Sequence, residues 1–177
     1  MANIVYIATS LDGYIADKEG KLDWLHSIPN PELDDFGFAA FMQRIDAIIM
    51  GRTTFETVCS FACEWPYPVP VYVLSHSLKE IPAGYRDKAQ LLAGTPSQII
   101  AAAANNGHHQ LYIDGGKTVQ NFLQQGLIDE LIITTIPVLL GGGTPLFSPL
   151  DQQQNFQLEK SEVLLNAMVK NHYLRKD

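Results

Sequence analysis

The sequence predicts an α/β domain with a mostly parallel central sheet, helices on both of its faces and a C-terminal antiparallel hairpin. Two features predict it. Short β-branched runs alternate with helix-like stretches as far as Ile136, the signature of parallel strands joined by crossover helices. Beyond that point the chain changes character. Residues 156–164 and 168–174 read as two strands around a turn near Asn166 with no helix between them, and they add an antiparallel pair to the sheet edge.

In chain order, strands are expected at residues 4–8, 47–50, 69–74, 111–113 and 131–136, and helices at 31–44, 53–59, 97–105 and 118–125. The run 1–9 is short and apolar without a basic start or a small-residue cleavage site, so it reads as a strand and not as a signal peptide. Asn30 and Pro31 suit the cap and first turn of the helix at 31–44. Phe36, Phe38, Ala39, Phe41 and Met42 make that helix apolar nearly all round, a surface able to cover flat heteroaromatic rings. No repeat, low-complexity linker or charge block divides the chain, and residues 1–177 are read as one domain.

Bulk composition, 46% hydrophobic and 18% charged, is that of an ordinary globular protein. A net charge of -7 with no run of Lys and Arg leaves no footprint for a polyanion, so nucleic acid is not an expected partner. No apolar run approaches membrane-spanning length, and no membrane association is expected. Cys59 and Cys63 have no second Cys or His pair at metal spacing. They are read as reduced thiols of a cytoplasmic protein, and no metal site is expected.

The informative segments lie where strands run into helices. Ile48, Ile49 and Met50 lead into Gly51, Arg52, Thr53 and Thr54; Leu111 to Asp114 lead into Gly115, Gly116, Lys117, Thr118 and Val119. A helix start presents unpaired N–H groups and partial positive charge, and glycine lets a phosphate approach the backbone. Either glycine alone also serves as a plain tight connection. A third candidate is Ser75, His76 and Ser77 after Leu74, at the strand end where open α/β sheets bind ligands. GlyLysThr at 116–118 is not a Walker A loop, because Leu111 stands where that motif needs its first glycine. GxGxxG is absent as well, including from Gly141 to Gly143, so a standard Rossmann dehydrogenase is not supported.

SLDGYIA at 10–16, MGRTTFE at 50–56, VLSHS at 73–77, YIDGGKTV at 112–119 and LIDELIITTIPVLLGGGTPLF at 127–147 resemble, in order, the dihydrofolate reductase superfamily. The similarity is closer to its branch containing the C-terminal reductase domain of the riboflavin-biosynthesis deaminase/reductase RibD. That resemblance implies a dihydrofolate reductase-like three-layer sandwich, NADPH as cofactor and a homodimer, with the run 131–140 serving either as a partner strand or as core. It gives Gly51 to Thr54 and Ser75 to Ser77 to the adenosine side and the 2′-phosphate, and Gly115 to Val119 to the pyrophosphate, with Ala8 at the end of the first strand also on the cofactor side. His76 stands where many relatives carry the permanently charged arginine, which weakens the case for NADPH over NADH.

On the substrate side the resemblance points to Ser10 and Asp12, to which Phe38 of the apolar helix and Trp24 of the same loop region are added as covers for a flat ring. AspGly at 12–13 equally fits a hairpin turn, and a lone Trp equally fits packing. Counting back from Gly51 places the family's acid at Asp35, whose pKa an apolar helix would raise, although acids in a first helical turn also complement the dipole. HxE followed by PCxxC is absent, so the zinc deaminase half is not present. The function expected is an NADPH-dependent reductase acting on a pyrimidine- or pteridine-like small molecule, similar to 5-amino-6-(5-phosphoribosylamino)uracil reductase or dihydrofolate reductase. The alternative is a non-catalytic nucleotide-binding module or sensor.

Overall fold

The computed structural model describes residues 1–176. Its core is an eight-stranded sheet in the order β5-β4-β3-β6-β1-β7-β10-β9. Six strands are parallel: β1 (Ala2–Ser10), β3 (Ala47–Gly51), β4 (Val71–Leu74), β5 (Ala89–Leu92), β6 (Gln110–Asp114) and β7 (Glu130–Ile136). The hairpin β9 (Asn155–Leu164) and β10 (Met168–Lys176) continues the sheet antiparallel beside β7. Two short segments, β2 (Tyr14–Ala16) and β8 (Thr144–Pro145), pair with each other outside it.

Strand periodicity distributes the core to both faces. Val5, Ile49 and Ile113 pack against α3 (Pro96–Asn105) and α4 (Gly116–Gln124), through Ile99 and Ala103 of the one and Val119 and Phe122 of the other. Their neighbours Ile4, Ile48 and Tyr112 point the other way, onto Phe41 and Met42 of α1 (Phe38–Met42) and Phe55 of α2 (Arg52–Cys59). Both cores are fully buried at the central strands. The result is three layers.

The helix expected at 31–44 is reduced to Phe38–Met42. Its first half is a loop because short polar side chains take the backbone groups a helix needs. Asn30 bonds the Asp34 backbone twice, Asp34 accepts from the Phe36 N–H, and Asp35 accepts from the Gly37 and Ala39 N–H groups. Leu33 and Phe36 sit at φ +53° and +57°, outside any helix. The strand expected from residue 69 begins at Val71, after Pro70, which has no N–H to give a ladder. The strands β2, β5 and β8 are additions that no periodic run announced.

Candidate functional site

The carboxyl ends of β3, β4 and β6 are level. Gly51 is in register with Leu74, and Met50 with Asp114. Above them lies a cleft of about 720 Å³. The helix starts that open into it are built unlike the third. Thr95 and Gln98 close α3 with a reciprocal capping box, whereas α2 and α4 begin on Gly51 and Gly115 with no side-chain cap. Their first-turn residues, Arg52 to Thr54 and Gly116 to Thr118, line the cleft. Unclaimed first-turn N–H groups and two positive dipole ends therefore meet in one cavity.

The two starts also pack on each other. A Cβ on Gly51 would come 3.1 Å from the Thr118 hydroxyl, and one on Gly115 would run into the Thr54 hydroxyl. Gly115 further needs φ +88°, a conformation that L side chains rarely adopt. Gly116 is roofed by the β2–β8 pair, since a Cβ there would lie 2.9 Å from the Ile15 methyl. Charge is sparse. Among the described residues lining the cleft, the only Arg and Lys are Arg52 and Lys117, with His76 beside Ser75; Arg52 is half-exposed and 3.3 Å from Glu56.

Most residues expected to hold cofactor come together here: Ala8, Gly51 to Thr54, Ser75, His76 and Gly115 to Thr118. Two do not line the cleft. Val119 is fully buried in the core, and Ser77 is exposed, its N–H donating to the Ser75 hydroxyl at 3.1 Å. Ser75 Oγ also accepts from the Leu78 N–H, so it braces the turn that carries it.

The expected substrate-side residues lie outside the cleft lining. The Ser10 hydroxyl donates to Asp12 at 2.6 Å, and Asp12 accepts from the Leu140 and Gly141 N–H groups, tying the turn after β1 to the loop after β7. Those bonds, led by that of Ser10, hold the Asp12 carboxyl below the usual range. Trp24, on a 3₁₀ turn (Asp23–His26), is buried against Ile136 and Met168. Phe38 packs edge-on to Tyr6, with centroids 5.6 Å apart. Asp35 is exposed, and its bonds from the Ala39 and Gly37 N–H groups lower its pKa. The rise expected for Asp35 in an apolar helix is thus corrected: this carboxylate caps a helix start and faces solvent.

Two cleft groups escaped the sequence reading. Asp114 ends β6 in the cleft lining and accepts from the Gly115 N–H at 2.8 Å. Burial pushes its carboxyl up to about 6 against that bond. Tyr67 lines the same cleft, and burial together with the nearby Asp114 charge raises its phenol. An acid directly before GlyGly at a buried strand end was the available signal for Asp114. Tyr67, between Pro66 and Pro68, reaches the cleft only through tertiary folding.

The model of the RibD C-terminal domain family matches residues 3–170. The chain belongs to that family. A structure from Shewanella sp. PV-4, provisionally assigned to riboflavin biosynthesis, is 56% identical, covers all of both chains and superposes with a TM-score of 0.97. The Bacillus subtilis (strain 168) protein YwjB, itself uncharacterized, is 34% identical over 97% of each chain. Two more distant structures show the same fold. The Thermotoga maritima diaminohydroxyphosphoribosylaminopyrimidine deaminase/5-amino-6-(5-phosphoribosylamino)uracil reductase has a TM-score of 0.75 at 14% identity, with 99% of this chain matching 56% of that one. Enterococcus faecalis dihydrofolate reductase, complexed with NADP(H), has a TM-score of 0.67 at 19% identity over 99% and 97% of the two chains. The RibD C-terminal domain of this chain is therefore a dihydrofolate reductase-like fold. Among its described residues no helix is long and apolar enough to cross a membrane, and no three His, Cys, Asp or Glu are grouped to hold a metal.

Proposed function

We propose that the chain is an NADPH-dependent reductase that transfers a hydride to a pyrimidine- or pteridine-like small molecule. One observation carries this reading: two uncapped, glycine-led helix starts open into a single cleft, which suits a ligand with a pyrophosphate and a second, separate phosphate. Gly115, Gly116 and Lys117 would hold the pyrophosphate. Arg52, Thr53 and Thr54 with Ser75 and His76 would take the adenosine side and its 2′-phosphate. The bound nicotinamide supplies the hydride.

The protein's own contribution is to hold the acceptor against that donor away from water and to place a proton. Asp114 suits the second task. It lines the cleft, and with a pKa of about 6 an appreciable fraction remains protonated near neutral pH. Asp35, ionised and outside the lining, is given no proton-transfer role. The chain is proposed to act as one unit in the cytoplasm and to pair as a homodimer.

Two measurements on one sample test the reading. Nicotinamide fluorescence should report NADPH binding, and loss of nicotinamide absorbance with pterins and ribosylaminouracils should report turnover. Binding without oxidation by any member of the panel would leave a nucleotide-binding module and refute the reductase.

A further inference from the structure

We infer, resting on the pairing proposed above, that two copies of the chain meet through the face of β7, β10 and β9 that lies on the α4 side of the sheet. Strand register gives that face its composition. Thr135, Val169 and Val163 form one cross-strand row, and Ile133, Asn171 and Ser161 form the next. Leu131, Tyr173 and Leu158 make a third. No residue of these rows is charged. Ile133 and Tyr173 pack at the border of the core that contains Val119 and Phe122 of α4, which fixes the side of the sheet they occupy.

The opposite side of the same strands is built otherwise. Lys170 stands in register with Glu162, 3.2 Å away, and His172 in register with Lys160. Glu130 holds His172 at 3.0 Å and Arg44 at 2.7 Å. Glu159, the extra residue of the bulge beside Tyr173, stands outside the paired rows. Side chains alternate between the two faces of a strand, and a face turned to water ordinarily carries the polar and charged set. Here the charged set faces one way, and the uncharged face is left with Val163 69%, Leu158 51% and Val169 37% exposed. Just beyond β7, Val138 and Leu140 turn to the Trp24 cluster, while Leu139 between them is 71% exposed. A contiguous apolar surface of this kind marks a contact with another molecule.

A second copy is the occupant these residues fit. The chain carries a net charge of -7, so two copies repel unless the contact itself is free of charge and leaves the carboxylates in water. These rows meet that condition. A basic partner would be drawn to acids, and the rows offer none. In the middle row Asn171 lies between Ile133 and Ser161. An amide both donates and accepts, so across a two-fold axis each copy's Asn171 satisfies the other's. The short and β-branched side chains beside it give a shallow surface, on which two sheets pack face to face about 10 Å apart.

Light scattering and sedimentation velocity on the full chain test this. The wild type should be a dimer. Val163→Lys and Val169→Lys, each of which sets like charges against one another across the axis, should raise its dissociation constant about a hundredfold or more. Both positions are exposed in the single chain, so circular dichroism should show the fold kept. Lys160→Ala, on the charged face, should pair as the wild type does. Raising sodium chloride from about 0.05 to about 1 M should not weaken the dimer, since no ion pair crosses the contact. A dimer that withstands both lysine substitutions, or one dissolved by Lys160→Ala or by salt, would overturn the choice of face and leave pairing itself standing. A wild type that stays monomeric would refute the pairing beneath it. None of the substituted residues lines the cleft, so NADPH titration tests the cofactor reading separately.

Discussion

Replacing Asp114 by Asn removes a titration while keeping an oxygen to accept the Gly115 N–H. The folded protein holds this carboxyl at about 6 against an ordinary value of 3.8, because burial penalises its charge. Below 3.8 both the folded and the unfolded chain carry the proton, and the group does not distinguish them. As pH rises from there to about 6 the unfolded chain releases its proton first, so stability present at low pH is progressively lost. The loss is complete above the folded pKa. At about 1.4 kcal/mol per pH unit it reaches about 3 kcal/mol, an upper value for a group at the margin of a cleft. Urea denaturation of both proteins at several pH values between 4 and 8 should show the wild type losing that much relative to Asp114→Asn. In the same window wild-type hydride transfer should fall as pH rises past about 6, and the Asn variant should be slow throughout. Parallel stability curves would refute the raised pKa; an unchanged rate profile would refute the proton-donor role.

Three further outcomes are expected. Arg52→Ala should weaken NADPH by about 1.5–3 kcal/mol, the usual worth of a hydrogen bond to a charged group, and leave NADH nearly unchanged; equal effects in fluorescence titrations would remove the 2′-phosphate from Arg52. Gly115→Ala should weaken both cofactors and lower stability by about 1–3 kcal/mol, since φ +88° and the Thr54 hydroxyl both oppose a Cβ there; thermal unfolding with and without NADPH measures both. Asp35→Asn should leave single-turnover hydride transfer and cofactor affinity intact, because this carboxylate lies outside the cleft lining; a large fall in the transfer rate would restore it as a catalytic candidate.

What could be read from the residues followed from how local each feature is. Strand-turn-helix junctions are contiguous, so Gly51 to Thr54 and Gly115 to Thr118 announce themselves within a few residues. The parallel sheet was equally legible because its β-branched runs alternate with helices. Residues 31–37 misled because Asn30 and Pro31 suit the start of a helix, while Asn30, Asp34 and Asp35 spend their side chains on backbone groups instead. The expected substrate wall moved with that segment: Phe38 joined the core beside Tyr6, and the cleft is walled by Leu22, Leu25 and Phe61. Tyr67 and Asp114 are 47 positions apart and share only a place in space.

The interlock of the two helix starts acts as a ruler. Because Gly51 seats the Thr118 side chain and Gly115 seats that of Thr54, neither helix start can drift from the other without opening a gap or a clash. The interval between the two cradles is thereby gauged by backbone and threonine, not by mobile cationic side chains. A ligand whose two anionic groups match that interval meets a site already set to length. On the proposed reading, one with a shorter or longer span would satisfy only one end, and the spacing it must match is set by the scaffold itself.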